Sequence, residues 1–207
     1  RDWSSDVCSS DLADMVTLLA RLDAREVHWL GTSMGGLIGL GLAALPESPI
    51  RRLVLNDVGP TIEYAALQRI GQYLGQPAHW RTLDEAADAI WAISQGFGPH
   101  TREQWLALTR PQLKADGDGF KPHYDPAIAV PFRAVTPEVA AAGEASLWAA
   151  YDAVNCPTLL LRGAHSDLLS AATAQQMARR GPRARLVELD GRSEEHTSEL
   201  QSRVDIS

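Results

Sequence analysis

Apolar and polar residues follow two different periods along the chain. A helical spacing of apolar residues fills positions 12–22, and short apolar runs that suit buried strands recur later. The predicted strands cover residues 26–30, 52–56, 158–162 and 184–189, and the predicted core helices cover residues 12–22, 34–45 and 171–180. Because strands that alternate with helices are typical of a mainly parallel sheet, the pattern predicts an α/β protein.

The stretch between the second and third predicted strands has a different pattern. Residues 61–154 contain helical segments that Gly and Pro interrupt, without a strand signal of comparable strength. The predicted helices cover residues 62–74, 83–94, 102–109 and 145–153. We therefore predict a helical insertion that covers the carboxyl edge of the sheet.

The two ends of the chain are related as nucleic acid. The run DWSSDVCSSDL at residues 2–12 and the run RSEEHTSELQS at residues 192–202 can be encoded by complementary strands of one oligonucleotide. That oligonucleotide is similar to a common short-read sequencing adapter. We therefore predict that residues 1–12 and 192–207 are translated adapter, with ordinary disordered tails as the alternative.

Charge and composition narrow the classes of partner. The chain carries a net charge of −7, and residues 1–12 and 192–207 together hold three of the 19 basic and seven of the 26 acidic residues. The remainder has 16 basic and 19 acidic residues, a net charge of −3, which argues against a nucleic-acid partner. No apolar run is long enough to span a membrane, so we expect a cytoplasmic protein. Cys156 alone remains between the terminal runs, which excludes a disulfide framework there.

A candidate nucleophile lies in the sequence Gly31-Thr32-Ser33-Met34-Gly35, between a predicted strand and a predicted helix. A strained strand-to-helix turn of the G-x-S-x-G type exposes its Ser at the edge of the sheet, and Gly31 and Gly35 would allow close packing there. The amide of Met34 would then be a donor to an oxyanion. A plain Gly-rich turn is the alternative.

With this motif in this context, residues 13–191 resemble the α/β-hydrolase superfamily. The resemblance covers the later part of that fold, beginning at the helix before its fifth strand. It implies core segments at residues 13–60 and 155–191, with a helical cap at residues 61–154. The chain would then be a truncated piece of the fold.

The resemblance also implies an acid and a base that assist Ser33. Asp167 follows the third predicted strand, where the superfamily carries its acid, and it would orient an imidazole. Asp57, at the end of the second predicted strand, is the rival acid, and a loop or turn role is the alternative for both. The base should follow residues 184–189, where the terminal run begins. His196 lies in that run, so we predict that the natural base is missing and that this chain is inactive.

Aromatic residues in the insertion suggest the substrate. Trp148 is the predicted wall of a substrate pocket, although a place in the protein core is the alternative. The predicted function is hydrolysis of an apolar carboxylic ester or lactone through an acyl-enzyme, with a non-catalytic ligand-binding protein as the alternative. We predict no cofactor, and no His pair has metal-ligand spacing, so we predict no metal.

Overall fold

The computed structural model describes residues 3–94 and 100–189, and these contain eight α-helices and six β-strands. The helices are α1 (Trp3–Leu22), α2 (Met34–Ala44), α3 (Tyr64–Tyr73), α4 (Leu83–Ser94), α5 (Arg102–Thr109), α6 (Ala129–Ala134), α7 (Pro137–Ala153) and α8 (Ala171–Met177). The strands are β1 (Val27–Thr32), β2 (Ile50–Asn56), β3 (Leu113–Asp116), β4 (Gly119–Pro122), β5 (Thr158–Gly163) and β6 (Arg185–Leu189).

The four strands predicted from apolar runs form one parallel sheet in the order β1-β2-β5-β6. One row of the register pairs Gly31 with Leu55 and Leu55 with Leu160. All four strands therefore end at the same edge, where Ser33 follows β1 directly. The predicted α/β class with a mainly parallel sheet is confirmed.

Helix α2 is buried against this sheet. Its sequence, MGGLIGLGLAA, has no charged residue, and six of its eleven residues are buried. Leu40 and Leu42 join a core cluster that also contains Leu53 and Leu160 from the sheet and Tyr151 from α7. This burial fixes the start of α2 beside the carboxyl edge of the sheet.

Residues 61–154 lie between β2 and β5 in the chain, although these two strands are neighbours in the sheet. Helices α4 and α5 begin and end where the apolar spacing predicts. Helix α7 begins at Pro137, eight residues before the predicted start, because Thr136 caps it through the Val139 amide. A Pro in the first turn of a helix suits such a start.

The insertion also contains an antiparallel hairpin of β3 and β4, so the expectation of a wholly helical insertion is wrong there. Gly117 turns the chain with φ of 58°, and Trp80 exchanges two backbone hydrogen bonds with Phe120. The strands have only four residues each and carry Lys and Asp. Such short, charged strands give a weak apolar signal.

Helix α1 begins at Trp3, nine residues before the predicted start. Thus the helix runs through part of the first terminal run. Among the described residues, no helix combines the length and apolar character that a bilayer crossing requires.

Candidate active site

Ser33 lies in a strained turn between β1 and α2. Its backbone has φ of 50° and ψ of −124°, a conformation that residues other than glycine rarely adopt. The Ser33 amide donates to the carbonyl of Asn56 (3.3 Å), and the Ser33 carbonyl accepts from the amides of Gly36 (2.9 Å) and Leu37 (3.2 Å). The side chain is exposed and makes no capping hydrogen bond, so its hydroxyl faces solvent at the edge of the sheet.

Close packing at this turn depends on Gly31 and Gly36. A Cβ on Gly31 would overlap the carbonyl of Gly35, and a Cβ on Gly36 would overlap the side chain of Val58. A Cβ on Gly35 would meet no atom within 4 Å. The expectation that Gly35 is a close-packing position is therefore wrong, and Gly36 takes that role.

Met34 is the first residue of α2, directly after Ser33. The first amides of an α-helix have no partner within the helix, and they carry the positive end of the helix dipole. The Met34 amide is thus suited to meet negative charge that develops beside Ser33. Met34 is half-buried and Ser33 is exposed.

A model of the "Alpha/beta hydrolase family" matches residues 1–202. The chain belongs to this family. The α/β-hydrolase fold expected from the sequence is therefore confirmed.

Individual relatives of this α/β-hydrolase agree with the family. The chain is 48% identical, over 196 residues, to the 3-hydroxybutyrate-oligomer hydrolase of Cupriavidus necator, covering 91% of this chain and 67% of that protein. An α/β hydrolase from Novosphingobium aromaticivorans superposes with a TM-score of 0.76 at 35% identity, covering 91% of this chain and 66% of that one. A Rickettsia typhi protein described as a hydrolase superposes with a TM-score of 0.82 at 26% identity, covering 100% of this chain and 72% of that one.

Asp57 and Asp167 lie in neighbouring parts of the carboxyl edge. The Asp57 carboxylate accepts a hydrogen bond from the Ser166 hydroxyl (2.8 Å) and a long one from the Gly163 amide (3.4 Å). Ser166 in turn accepts from the amide of Leu169 (3.1 Å). Asp57 therefore holds the loop that carries Asp167, a role that its sequence position did not reveal.

The Asp167 side chain itself is 66% exposed, and an ion pair of 2.7 Å joins it to Arg69 on α3. Arg69 was not singled out from the sequence, because an exposed Arg on a helix carries no local signal of its partner. The structure therefore brings the insertion into direct contact with the candidate acid. The role of Asp167 as the catalytic acid stays a prediction.

Trp148 is buried, as the alternative for this residue anticipated. Its indole N–H donates to the hydroxyl of Thr61 (3.0 Å) and to the carboxylate of Glu144 (3.3 Å). The ring packs edge-on against Tyr151, and the Arg180 guanidinium lies 4.6 Å from its centre. These contacts place Trp148 in the core cluster, and its role as a pocket wall stays a prediction.

Two described histidines have surroundings that can be stated. His165 is exposed on the acid loop, while the ring of His79 lies 3.1 Å from the carbonyl of Asp116 in the hairpin. His196, the misplaced base candidate, lies outside the described residues. Within the described part of the chain, no group of three His, Cys, Asp or Glu residues could hold a metal ion.

A cavity of about 640 Å³ beside the hairpin is lined in part by His79, Lys114, Lys121 and Tyr124. Among the described residues that line it, none belongs to the turn at Ser33 or to the acid loop. The candidate chemistry and this cavity are therefore separate features of the molecule.

Proposed function

We propose that the whole protein to which this chain belongs cleaves carboxylic esters or lactones with Ser33 as the nucleophile. The observation that supports this proposal most is the backbone of Ser33, whose positive φ presents an exposed hydroxyl beside the first amides of α2. Strain at a single residue persists only where the surroundings impose it, and it concentrates at functional sites.

The proposed reaction has two steps. In the whole protein, the Ser33 oxygen attacks the carbonyl carbon of the ester while the imidazole of a catalytic His, not identified in this chain, takes its proton. The Met34 amide donates to the resulting oxyanion. Collapse breaks the carbon–oxygen bond, the alcohol leaves with the proton, and the acyl group stays on Ser33. Water then attacks the acyl carbon while the imidazole takes its proton, and the imidazole returns that proton to the Ser33 oxygen as the bond to Ser33 breaks and the acid leaves. Asp167 orients the imidazole throughout.

We further propose that short oligoesters of hydroxy acids are the substrates to test first. The relative that is 48% identical is named for hydrolysis of 3-hydroxybutyrate oligomers. Such oligomers combine ester bonds with short apolar side groups, which suits the proposal of an apolar ester. Trp148 would then shape the pocket from within the core.

For the chain itself we propose low turnover. Within the described residues, the Asp167 carboxylate is paired with Arg69 instead of a His ring. Without an oriented base the Ser33 hydroxyl keeps its ordinary, weak nucleophilicity.

A fluorophosphonate probe tests the nucleophile directly, with the labelled residue mapped by mass spectrometry. We expect slow labelling at Ser33 that Ser33→Ala abolishes and Ser48→Ala leaves unchanged, because Ser48 lies at the opposite end of β2. Labelling that persists in Ser33→Ala, or a failure to label Ser33 at high probe concentration, would contradict the assignment and favour a non-catalytic ligand-binding protein.

Hydrolysis of p-nitrophenyl butyrate tests the proposed low turnover separately. We expect a rate close to that of Ser33→Ala. A rate well above that background would refute the missing base while supporting Ser33 as the nucleophile.

A further inference from the structure

Arg69 reaches from the insertion to the loop that carries the candidate acid. Its guanidinium lies 2.7 Å from the carboxylate of Asp167, through one terminal nitrogen, and its side chain is 47% exposed. A guanidinium has five N–H donors in a planar fork. Because one terminal nitrogen forms this ion pair and nearly half of the side chain is exposed, the fork is accessible to a further acceptor from solvent.

Arg162 is the other arginine at this loop, and its situation is different. Its side chain is buried, and it donates to the carbonyls of Leu169 (2.9 Å) and Ala164 (3.4 Å). Its guanidinium also pairs with Glu188 at 3.3 Å. The donors of Arg162 thus stabilise the loop, whereas the exposed part of Arg69 is accessible to another acceptor.

Tyr73 is the neighbour of Arg69 along α3. It lies one turn further along the helix, on the same face, so its hydroxyl and the Arg69 guanidinium are close enough to interact. Burial raises the pKa of the Tyr73 hydroxyl, and the nearby Arg69 opposes that rise. The phenol therefore stays neutral, so it adds no negative charge that would repel an anion.

A substrate carboxylate needs such a cation at this edge of the sheet. The carboxylates of Asp57 and Asp167 already lie there, and like charges at short range oppose a further anion. An Arg fork is the side chain whose geometry matches a carboxylate best.

We propose that Arg69 binds the free carboxylate of the substrate and makes the enzyme prefer esters that end in an acid. The proposal rests on the proposed function, because an oligoester of hydroxy acids carries one terminal carboxylate. In this role Arg69 shares its fork between Asp167 and the substrate. The insertion thus supplies specificity, while the sheet supplies the nucleophile.

Isothermal titration calorimetry tests the proposal on the chain carrying Ser33→Ala, which prevents turnover of the ligand. The probes are the linear dimer of 3-hydroxybutyrate as its free acid and as its methyl ester, which differ in one negative charge. We expect Arg69→Gln to raise the Kd of the free acid about tenfold or more, as for a lost hydrogen bond to a charged group. The Kd of the methyl ester should stay within about twofold.

Two further variants separate binding from folding. Arg69→Lys keeps the charge but loses the fork, so the free acid should bind with intermediate affinity. Arg133→Gln removes another exposed Arg of the insertion, on α6, and should change neither Kd.

Each other result overturns the proposal. An equal change in Kd for the two probes would mean that Arg69 acts only through Asp167 or the fold. An unchanged Kd for the free acid would mean that Arg69 does not bind the carboxylate. Binding of neither probe would also exclude it. Because calorimetry needs no turnover, these results are independent of the labelling at Ser33, which alone decides the nucleophile.

Discussion

At the scale of single residues, the site depends on two strained positions at the ends of neighbouring strands. Ser33 follows β1 with φ of 50°, and Asp57 follows β2 with φ of 53°. One presents a hydroxyl to solvent, and the other directs its carboxylate to the loop of Asp167. The strained backbone therefore positions a hydroxyl at Ser33 and a carboxylate at Asp57.

The strain at Ser33 can be measured as stability. Ser33→Gly removes the steric cost of the side chain, about 1–3 kcal/mol, and adds an entropic cost of about 0.5–1 kcal/mol from the more flexible unfolded chain. We expect the free energy of unfolding to rise by roughly 1 kcal/mol in urea denaturation.

Ser33→Ala is the matched control, since it keeps the Cβ and loses only a hydroxyl that makes no capping bond. Its stability should stay within about 0.5 kcal/mol of the unchanged chain. A Ser33→Gly variant no more stable than Ser33→Ala would show that the backbone there is not strained.

At the scale of elements, the contact between α2 and β1 determines the geometry of the turn. Gly36 faces Val58, and Gly39 faces the ring of Trp29 so closely that a Cβ at either position would overlap its neighbour. The indole N–H of Trp29 also donates to the carbonyl of Gly35 (2.9 Å). Small residues on one face of α2 thus allow the helix to approach the strand.

The two adjacent glycines of α2 provide a matched pair for this contact. Gly36→Ala should lower the free energy of unfolding by about 1–3 kcal/mol, because the new methyl group overlaps Val58. Gly35→Ala should be neutral or raise it by up to about 1 kcal/mol, because Ala favours the helix and open space surrounds the site. Urea denaturation of both variants measures the difference. Equal effects would contradict the packing described here.

At the scale of the whole molecule, Tyr151 connects the end of the insertion to the core. It is fully buried, and its hydroxyl donates to the carbonyl of Met177 (2.7 Å). Burial raises the pKa of Tyr151 to about 12, with a smaller contribution from Asp152 in the same direction. The protonated phenol is therefore the form that the folded state requires.

This shift predicts how stability depends on alkaline pH. A pKa that is higher in the folded state contributes stability that is fully present below the unfolded pKa of about 10. That contribution, about 2–3 kcal/mol, should be lost as pH rises from about 10 to about 12. Urea denaturation at several pH values measures the loss.

Tyr151→Phe provides the control for the alkaline transition. It should be less stable near neutral pH by about 1 kcal/mol, since it lacks the hydrogen bond to Met177. Its stability should nevertheless change less between pH 10 and 12. An identical decline in both proteins would assign the transition to other groups.

The sheet has an exposed edge at β1. In the described sheet β1 is an outer strand, and Leu30 on it is 49% exposed. An outer strand leaves backbone donors and acceptors without a strand to pair with, which favours association between chains.

The sequence by itself determined the features whose physical cause is local. The pattern of apolar residues predicted the four parallel strands and the helices α4 and α5. It could do so because each residue's environment in these elements repeats over a few positions. The place of Ser33 follows from the glycines around it. Even here the motif predicted close packing at Gly35, whereas the structure shows it at Gly36. The contact of Gly36 with Val58 involves a residue outside the motif, so the motif did not reveal it.

Only the tertiary structure decided which groups meet at the carboxyl edge. Asp57 and Ser166 are 109 residues apart in the chain, and Arg69 meets Asp167 from another element. The burial of Trp148 against Thr61 has the same origin. No local pattern specifies such pairs, since the sheet order and the fold of the insertion bring them together. The sequence therefore located the nucleophile, whereas tertiary packing selected its neighbours.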